Sequence, residues 1–565
     1  MRRDLHSLDN DSFDLLVVGG GIHGVCVARD AALRGLKVAL IERDDFGAAT
    51  SHNSLKLIHG GFRYLQHLDL RRVRQSLLER RYWLWAAPHL VQPLKFVMPL
   101  YGHTTRGPEA LWAATQLYQL LGLDRNRELL PERQLPSGGV VSRAACQQLI
   151  PGVDPDGLSG GAYWYDGQML DADRLLLECL VDASAHGAVL ANHLEAKGFL
   201  GDGRTVSGVR ALDRLDGHEL EIRARLTINT CGPWTDKLLR RGLDTQREGM
   251  TGLSKCMNLV TRRLTTGHGF AVRSSRASDA LLGRTRRMFF FTPWWDRTVV
   301  GTSHLPYSGD PDDCCFSEED IAEFLGEINA ALPDAKLSLD DIHYCYGGLT
   351  PAEEEETRRG EVARSRQSEI VDHQRSHGID GLLSAVGVKW TTARLVAEKV
   401  LDLASTRLGG TPSPCPVVNT PLPGARDYPG EAALQTRAAG QIPDAEAFRS
   451  LLAPFGMAYS RILEQGDWQP DEPDSLFRAR CRHAVREELA LRLGDLVFRR
   501  LHTSHLGRLD NAQLRWCAGM MASELGWDAQ RTEAELDSVR QDRWWRPGGD
   551  CASTEAAAPA LDLSP

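Results

Sequence analysis

The chain's 565 residues, 42% apolar and 25% charged, exceed what one core accommodates and fit a globular protein of about three domains. A net charge of -9 argues against a general nucleic-acid footprint, and no uninterrupted apolar run is long enough to span a bilayer. Twelve scattered cysteines with no C-x-x-C pair point to reduced thiols in a cytoplasmic compartment and to no structural metal.

The N-terminal MRRDLHSLDNDSFD lacks the apolar centre of a signal peptide. The stretch from Asp14 to Glu42, DLLVVGGGIHGVCVARDAALRGLKVALIE, predicts strand, turn, helix and strand. Gly19, Gly21 and Gly24 stand in G-x-G-x-x-G spacing, which permits a sharp turn, the approach of a pyrophosphate to the backbone, and close packing of helix on strand. The phosphates then sit at the helix N-terminus, where unpaired N–H groups and the helix dipole favour negative charge. Glu42 ends the second strand, where a carboxylate accepts hydrogen bonds from a ribose diol.

A nicotinamide-binding domain would continue with further strand–helix units, but the chain enters the small, polar stretch RDDFGAATSHNSLKLIHGGFRYL. Such a stretch suits backbone and hydroxyl contacts to an extended ligand. Within it, ATSHNSLKLIHGGFRYLQ resembles the flavin-contacting segment of the FAD-dependent glycerol-3-phosphate dehydrogenases, members of the D-amino-acid-oxidase-like flavoprotein superfamily. The resemblance implies FAD as cofactor, contacts to it from Arg43, Thr50 and Ser51, and Arg63 and Tyr64 facing the substrate. His59, between a strand end and two glycines, is not assigned as the base.

From Asp69, DLRRVRQSLLERRYWLWAAPHL predicts a helix with Leu70, Val73, Leu77 and Trp83 inward and its arginines outside. The cluster Arg71, Arg72 and Arg74 reads as a solvated face. PEALWAATQLYQLLGL, rich in Trp, Tyr and Leu, fits a membrane-interface helix and a helix buried between domains equally. The quinone-linked dehydrogenases it resembles are peripheral membrane proteins, which favours the interface. Asp171 and Asp173 open another helix, where acidic residues cap N–H groups and complement the dipole. ARLTINTCGPWTDKLL predicts a buried strand ending at Cys231-Gly232-Pro233-Trp234. This resembles the second adenosine-side contact of flavoproteins, with Gly232 in the closing turn and Cys231 as a packed small residue.

Between Thr251 and Asp372, strand-like pieces such as MFFFTPWW and RTVVGTS predict a substrate-facing sheet, and Gly301-Thr302-Ser303 resembles the family's Gly-Thr turn. Two positions depart from the family pattern. Asn258 in LSKCMNLVT stands where the resemblance implies a histidine, and Thr350 in GGLTPAEEEE where it implies a phosphate-clamping arginine. One charge pair at about 4 Å is worth roughly 4 kcal/mol at an effective dielectric near 20, so the missing guanidinium matters for a dianionic substrate. Arg366 matches the family's phosphate-site motif and is placed in the pocket; Arg364 is left undecided. In GIDGLLSAVGVKWTTARLVAEKVLDLAS an apolar strand runs into Gly387, and Thr391 and Thr392 open a long amphipathic helix. Lys389 is expected beside flavin N1, where an ammonium stabilises the anionic reduced ring.

The Pro-rich GGTPSPCPVVNTPLPG predicts a semi-rigid linker. Beyond it HAVREELALRLGDLVFRRLHTSHLG carries Val485, Leu489, Leu493 and Leu496 at helical spacing and resembles the C-terminal domain of the same family. The last residues lack a core pattern and are expected to be disordered. The expected fold is α/β: a Rossmann-like FAD-binding domain from 11–95, 155–250 and 375–408, an antiparallel-sheet substrate domain from 96–154 and 251–374, a linker over 409–424, an all-helical domain over 425–545 and a tail over 546–565. The resemblance implies oxidation of the polyol phosphate sn-glycerol 3-phosphate to dihydroxyacetone phosphate by hydride transfer to flavin N5. A quinone takes the electrons, with oxygen as the other candidate acceptor, peripherally on the inner face of the cell membrane; a homodimer is left open. Asn258 and Thr350 motivate an alternative, a related flavin oxidase or dehydrogenase acting on another hydroxy acid or amine. A flavin-binding protein without turnover is the other alternative.

Overall fold

The strand β1 (Ser12–Val18), the helix α1 (Ile22–Leu33) and the strand β2 (Val38–Ile41) form the predicted strand–turn–helix–strand unit. The computed structural model describes residues 1–104, 107–243, 252–265, 267–278, 285–352, 368–439, 453–469, 474–501 and 509–541, together with 442, 448 and 472. β1 pairs in parallel with β2 and with Glu219–Asn229; the latter pairs in parallel with Leu382–Val386, and β2 with Val189–Ala191. Alternate residues of β1 enter different cores. Leu15 and Val17 pack with α1 and the helices Ala172–Ala185 and Ala393–Arg407, whereas Leu16 and Val18 pack with Val209, Ala211 and Ile222 on the other face. Cover on both faces is why the strand reads as a continuous apolar run.

The second sheet runs in the order Ile342–Ala352, Gly252–Thr261, Arg297–Tyr307, Thr285–Trp294, Gly269–Ser278, Val91–Tyr101, Leu158–Met169 and Leu57–Ile58. Its neighbours are antiparallel except where Gly269–Ser278 meets Val91–Tyr101 in parallel. Met257, Leu259, Phe289 and Phe291 pack with the helix Glu318–Ala331, while Cys256, Asn258, Met288 and Phe290 line a cavity on the opposite face. The period of two thus separates core from site. Gly301-Thr302-Ser303 lies within the Arg297–Tyr307 strand rather than in a turn.

Strand pairing shifts the expected domain boundaries. Leu158–Met169 belongs to the second sheet and Glu369–Asp372 to the first, so these pieces change sides relative to the segmentation drawn from the sequence. The Pro-rich connector is docked rather than free: Cys415, Val417 and Leu422 are buried in the core around α1, Arg29 donates to the Thr420 carbonyl at 2.8 Å, and the Leu422 N–H donates to the Ala86 carbonyl. The C-terminal region is helical, with Ser475–Glu487, Asn511–Leu525 and Ala529–Arg540 closing around Leu493, Leu496, Met521 and Leu536. Val485, Leu489, Leu493 and Leu496 are buried but do not share one helix. The helix stops at Glu487, Leu489 takes a φ of 56°, and a separate π-helical turn spans Asp495–Arg500. The expected tail, 546–565, lies outside the described residues.

Candidate active site

A cavity of about 1700 Å³ is lined by residues of both sheets, larger than a pocket for one small molecule. At its glycine-rich end, β1 stops where Gly19 takes a φ of 107° and α1 begins at Gly21 without a side-chain cap. The first turn of α1 therefore offers donors to an anion. Ser51 Oγ accepts the Ile22 N–H at 3.0 Å, fixing the loop after β2 against that turn. Gly19, Gly21, Glu42, Arg43, Thr50, Ser51, Gly232, Gly387, Lys389 and Thr391 all line the cavity. Gly24 does not: a Cβ there would overlap the Gly19 carbonyl oxygen, so its part is the tight seating of α1 on β1. Thr392 is also outside the lining and sits at the N-cap of Ala393–Arg407.

Glu42 is half-buried, and desolvation pushes its pKa up; its carboxylate accepts the backbone N–H groups of Gly20 at 2.6 Å and Asp44 at 2.9 Å. It thus holds the glycine turn itself. The Arg43 guanidinium stacks on Trp234 at 4.4 Å and pairs with Asp44 at 3.1 Å and Asp312 at 2.7 Å. At Gly387 a side chain would collide with the ring of His23, whose buried Nε2 has no partner among the described residues. A helix start with open donors, a glycine cradle and an orphaned buried nitrogen on one cavity wall fit an extended pyrophosphate-linked cofactor such as FAD.

The other end carries Tyr64, with Lys389 Nζ 4.4 Å and the Arg72 guanidinium 4.2 Å from its ring centroid. His59 meets the same ring edge-on at 5.8 Å and donates its backbone N–H to Thr391 Oγ1 at 3.1 Å. Burial, then the charges of Lys389, Arg63, Arg72 and Arg80, pull the His59 pKa down to about 3, so its imidazole is neutral at pH 7. Arg63 is exposed yet lines the cavity. Arg366 and Arg364 lie outside the described residues.

The sheet wall holds the two departures. Asn258 Oδ1 accepts from Thr302 Oγ1 at 3.0 Å, and Thr350 Oγ1 lies 3.0 Å from Cys256 Sγ, which lies 3.2 Å from His304 Nδ1. Cys256, His304, Arg273 and Arg72 line the cavity and were not singled out from the sequence as site residues. Strand alternation from Asn258 would have found Cys256; His304 needed the strand register, which sets it opposite Cys256. On spacing alone Arg72 belongs to a solvated face. Its neighbour Arg71 is exposed and Arg74 pairs with Asp124, but Arg72 turns to the cavity. Leu70 is 40% exposed rather than inward, and Arg80 is buried against Asp166 rather than outside.

Residues 14–402 match the family described as FAD dependent oxidoreductase, and residues 415–532 match the C-terminal domain of alpha-glycerophosphate oxidase. A glycerol-3-phosphate dehydrogenase of Synechocystis is 32% identical over 514 residues, covering 88% of this chain and 90% of that protein. The mitochondrial glycerol-3-phosphate dehydrogenase of Homo sapiens is 30% identical, covering 96% of this chain and 75% of that protein. Among solved structures, the glycerol-3-phosphate dehydrogenase from Bacillus halodurans complexed with FAD superposes with a TM-score of 0.74 at 24% identity, over 96% of this chain and 97% of that one; this supports the fold. With FAD as its cofactor, the chain belongs to the FAD-dependent glycerol-3-phosphate dehydrogenase family of D-amino-acid-oxidase-like oxidoreductases.

Proposed function

We propose that this enzyme oxidises C2 of sn-glycerol 3-phosphate to dihydroxyacetone phosphate and passes the electrons to a quinone. The observation that carries the reading is the Tyr64 ring flanked by two cations in the same cavity as the glycine fingerprint. It joins a glycine-rich end to a cationic end. FAD, when bound, would supply the two-electron acceptor for the hydride. Gly19, Gly21, Thr50, Ser51, Gly232, Gly387 and Thr391 would line its cleft, Arg43 would hold its adenosine side, and Glu42, which keeps the glycine turn in register, would accept from its ribose.

Lys389 would hold positive charge at the pyrimidine edge of the cofactor. Arg63 and, on sequence grounds, Arg366 bind the anionic group, and Tyr64 shapes the alcohol end. His59, half-buried and edge-on to Tyr64 in the same cavity, is the imidazole positioned to accept the hydroxyl proton at a ring nitrogen.

The helix Pro108–Leu121 supports a peripheral membrane contact. Trp112 is 55% and Leu120 62% exposed, and Leu123 just beyond is 77% exposed. Among the described residues no helix is long and apolar enough to cross a membrane. A quinone acceptor fits such a surface.

Anaerobic stopped-flow mixing with a panel of phosphorylated polyols and hydroxy acids tests the substrate. Glycerol 3-phosphate is expected to bleach the oxidised flavin fastest; bleaching by another compound but not by it would overturn the substrate and favour the reading that the Asn258–Thr350 wall motivates, a related flavin enzyme for a different hydroxy acid. Quinone turnover without stoichiometric peroxide is the expected acceptor result.

A further inference from the structure

Among the basic residues of the helix Leu70–Ala86, the partners differ in a telling way. Arg74 and Arg81 pair with Asp124 and Arg80 with Asp166. Arg71 is exposed to solvent. Arg72 is half-buried, lines the cavity and has no ion pair among the described residues; its guanidinium lies over the ring of Tyr64. The nearby cavity wall includes Met98, Leu100, Leu111 and Ala114, an apolar lining in which an unneutralised charge is costly and attracts an anion strongly.

The backbone fixes this charge. Asp69 caps the helix by accepting the Arg72 N–H at 3.0 Å, so Arg72 sits in the first turn, where the dipole adds positive potential. The charge is felt at His59, whose protonation it opposes. We propose that Arg72 binds the phosphate of the polyol phosphate, and so selects phosphorylated over unphosphorylated substrates. This rests on the proposed function, and it assigns part of the anion recognition to the helix that carries the cavity's apolar wall rather than to the sheet, where Thr350 supplies only a hydroxyl.

The test compares the holoenzyme with Arg72→Gln and Arg72→Lys. The preference for glycerol 3-phosphate over glycerol, taken as the ratio of kcat/KM values, is expected to fall at least about tenfold in R72Q, the scale of one lost charged hydrogen bond, and less in R72K, which keeps the charge. Inorganic phosphate, titrated against the flavin absorbance, is expected to bind R72Q at least about tenfold more weakly than the wild type. If Arg72 serves only to support the Tyr64 ring, both substrates suffer alike, the ratio and the phosphate affinity stay within about twofold, and the proposal is overturned. Should glycerol 3-phosphate fail to reduce the wild-type flavin, the proposed function falls, while the phosphate titration still decides for or against Arg72.

Discussion

His59 and His23 couple stability to pH through burial alone or burial with like charge. Both are held below the ordinary value of 6.5, His59 at about 3 and His23 at about 4. Between those values and 6.5 the unfolded chain binds more protons than the folded one, so stability falls as pH falls through this window and is unaffected above it. Each pH unit inside the window removes roughly 1.4 kcal/mol per histidine. Denaturant unfolding at pH 7, 6 and 5 checks this, and the double variant H23Q/H59Q is expected to flatten the slope. Lys389 gives a kinetic prediction at the same scale: K389M is expected to slow flavin reduction by glycerol 3-phosphate by roughly 100-fold, as for removal of one preorganised charge-stabilising group. Unchanged reduction in a stopped-flow trace would remove Lys389 from the cofactor edge.

Two elements carry predictions of their own. In the β1–α1 unit, Gly24 is required by contact and not by φ, since its added Cβ meets the Gly19 carbonyl oxygen. Gly24→Ala must push α1 off β1, and displaced core packing typically costs about 1–3 kcal/mol. The expected result is loss of yellow colour on purification, followed by the flavin-to-protein absorbance ratio. In the helix Pro108–Leu121, the exposed Trp112 and Leu120 stand apart from the cavity-lining Leu111 and Ala114. W112S/L120S is expected to lose sedimentation with lipid vesicles while reduction of a soluble dye persists; equal sedimentation would leave the membrane contact without support.

Across the whole molecule, the C-terminal helices grip the loop that follows β2. Asp45, fully buried, accepts from Arg500 at 2.7 and 3.0 Å, from Arg499 at 2.6 Å and from Asn192 at 3.0 Å. Burial alone would raise its pKa, but Arg500 and Arg499 hold the carboxyl well below the usual range. The same loop runs on through Gly47, whose N–H donates to the Gly20 carbonyl, to Ser51 at the start of α1. Arg500→Met leaves the buried Asp45 carboxylate to Arg499 and Asn192 alone, so the loss is expected to stay at or below the roughly 3–5 kcal/mol that fully breaking a buried pair costs. Urea unfolding should show that loss, and D45N/R500M should recover much of it; equal stability of all three proteins would count against the clamp.

The glycine fingerprint, β1 and β2, the apolar strand into Gly387 and the helical C-terminal region were legible because each rests on local spacing or on periodicity within one element. So were Arg63, Tyr64 and Lys389 as candidates, since the residues around them follow a family pattern along the chain. Sequence could not tell Arg72 from Arg71 and Arg74, because which arginine of a helix meets a cavity depends on what packs against each face. Nor could it pair Cys256 with His304, place Leu158–Met169 in the second sheet, or seal Asp45 under Arg500. Those relations join residues far apart in the chain, and they are set by strand register and the docking of whole elements, where burial and charge are decided only once the chain has closed on itself.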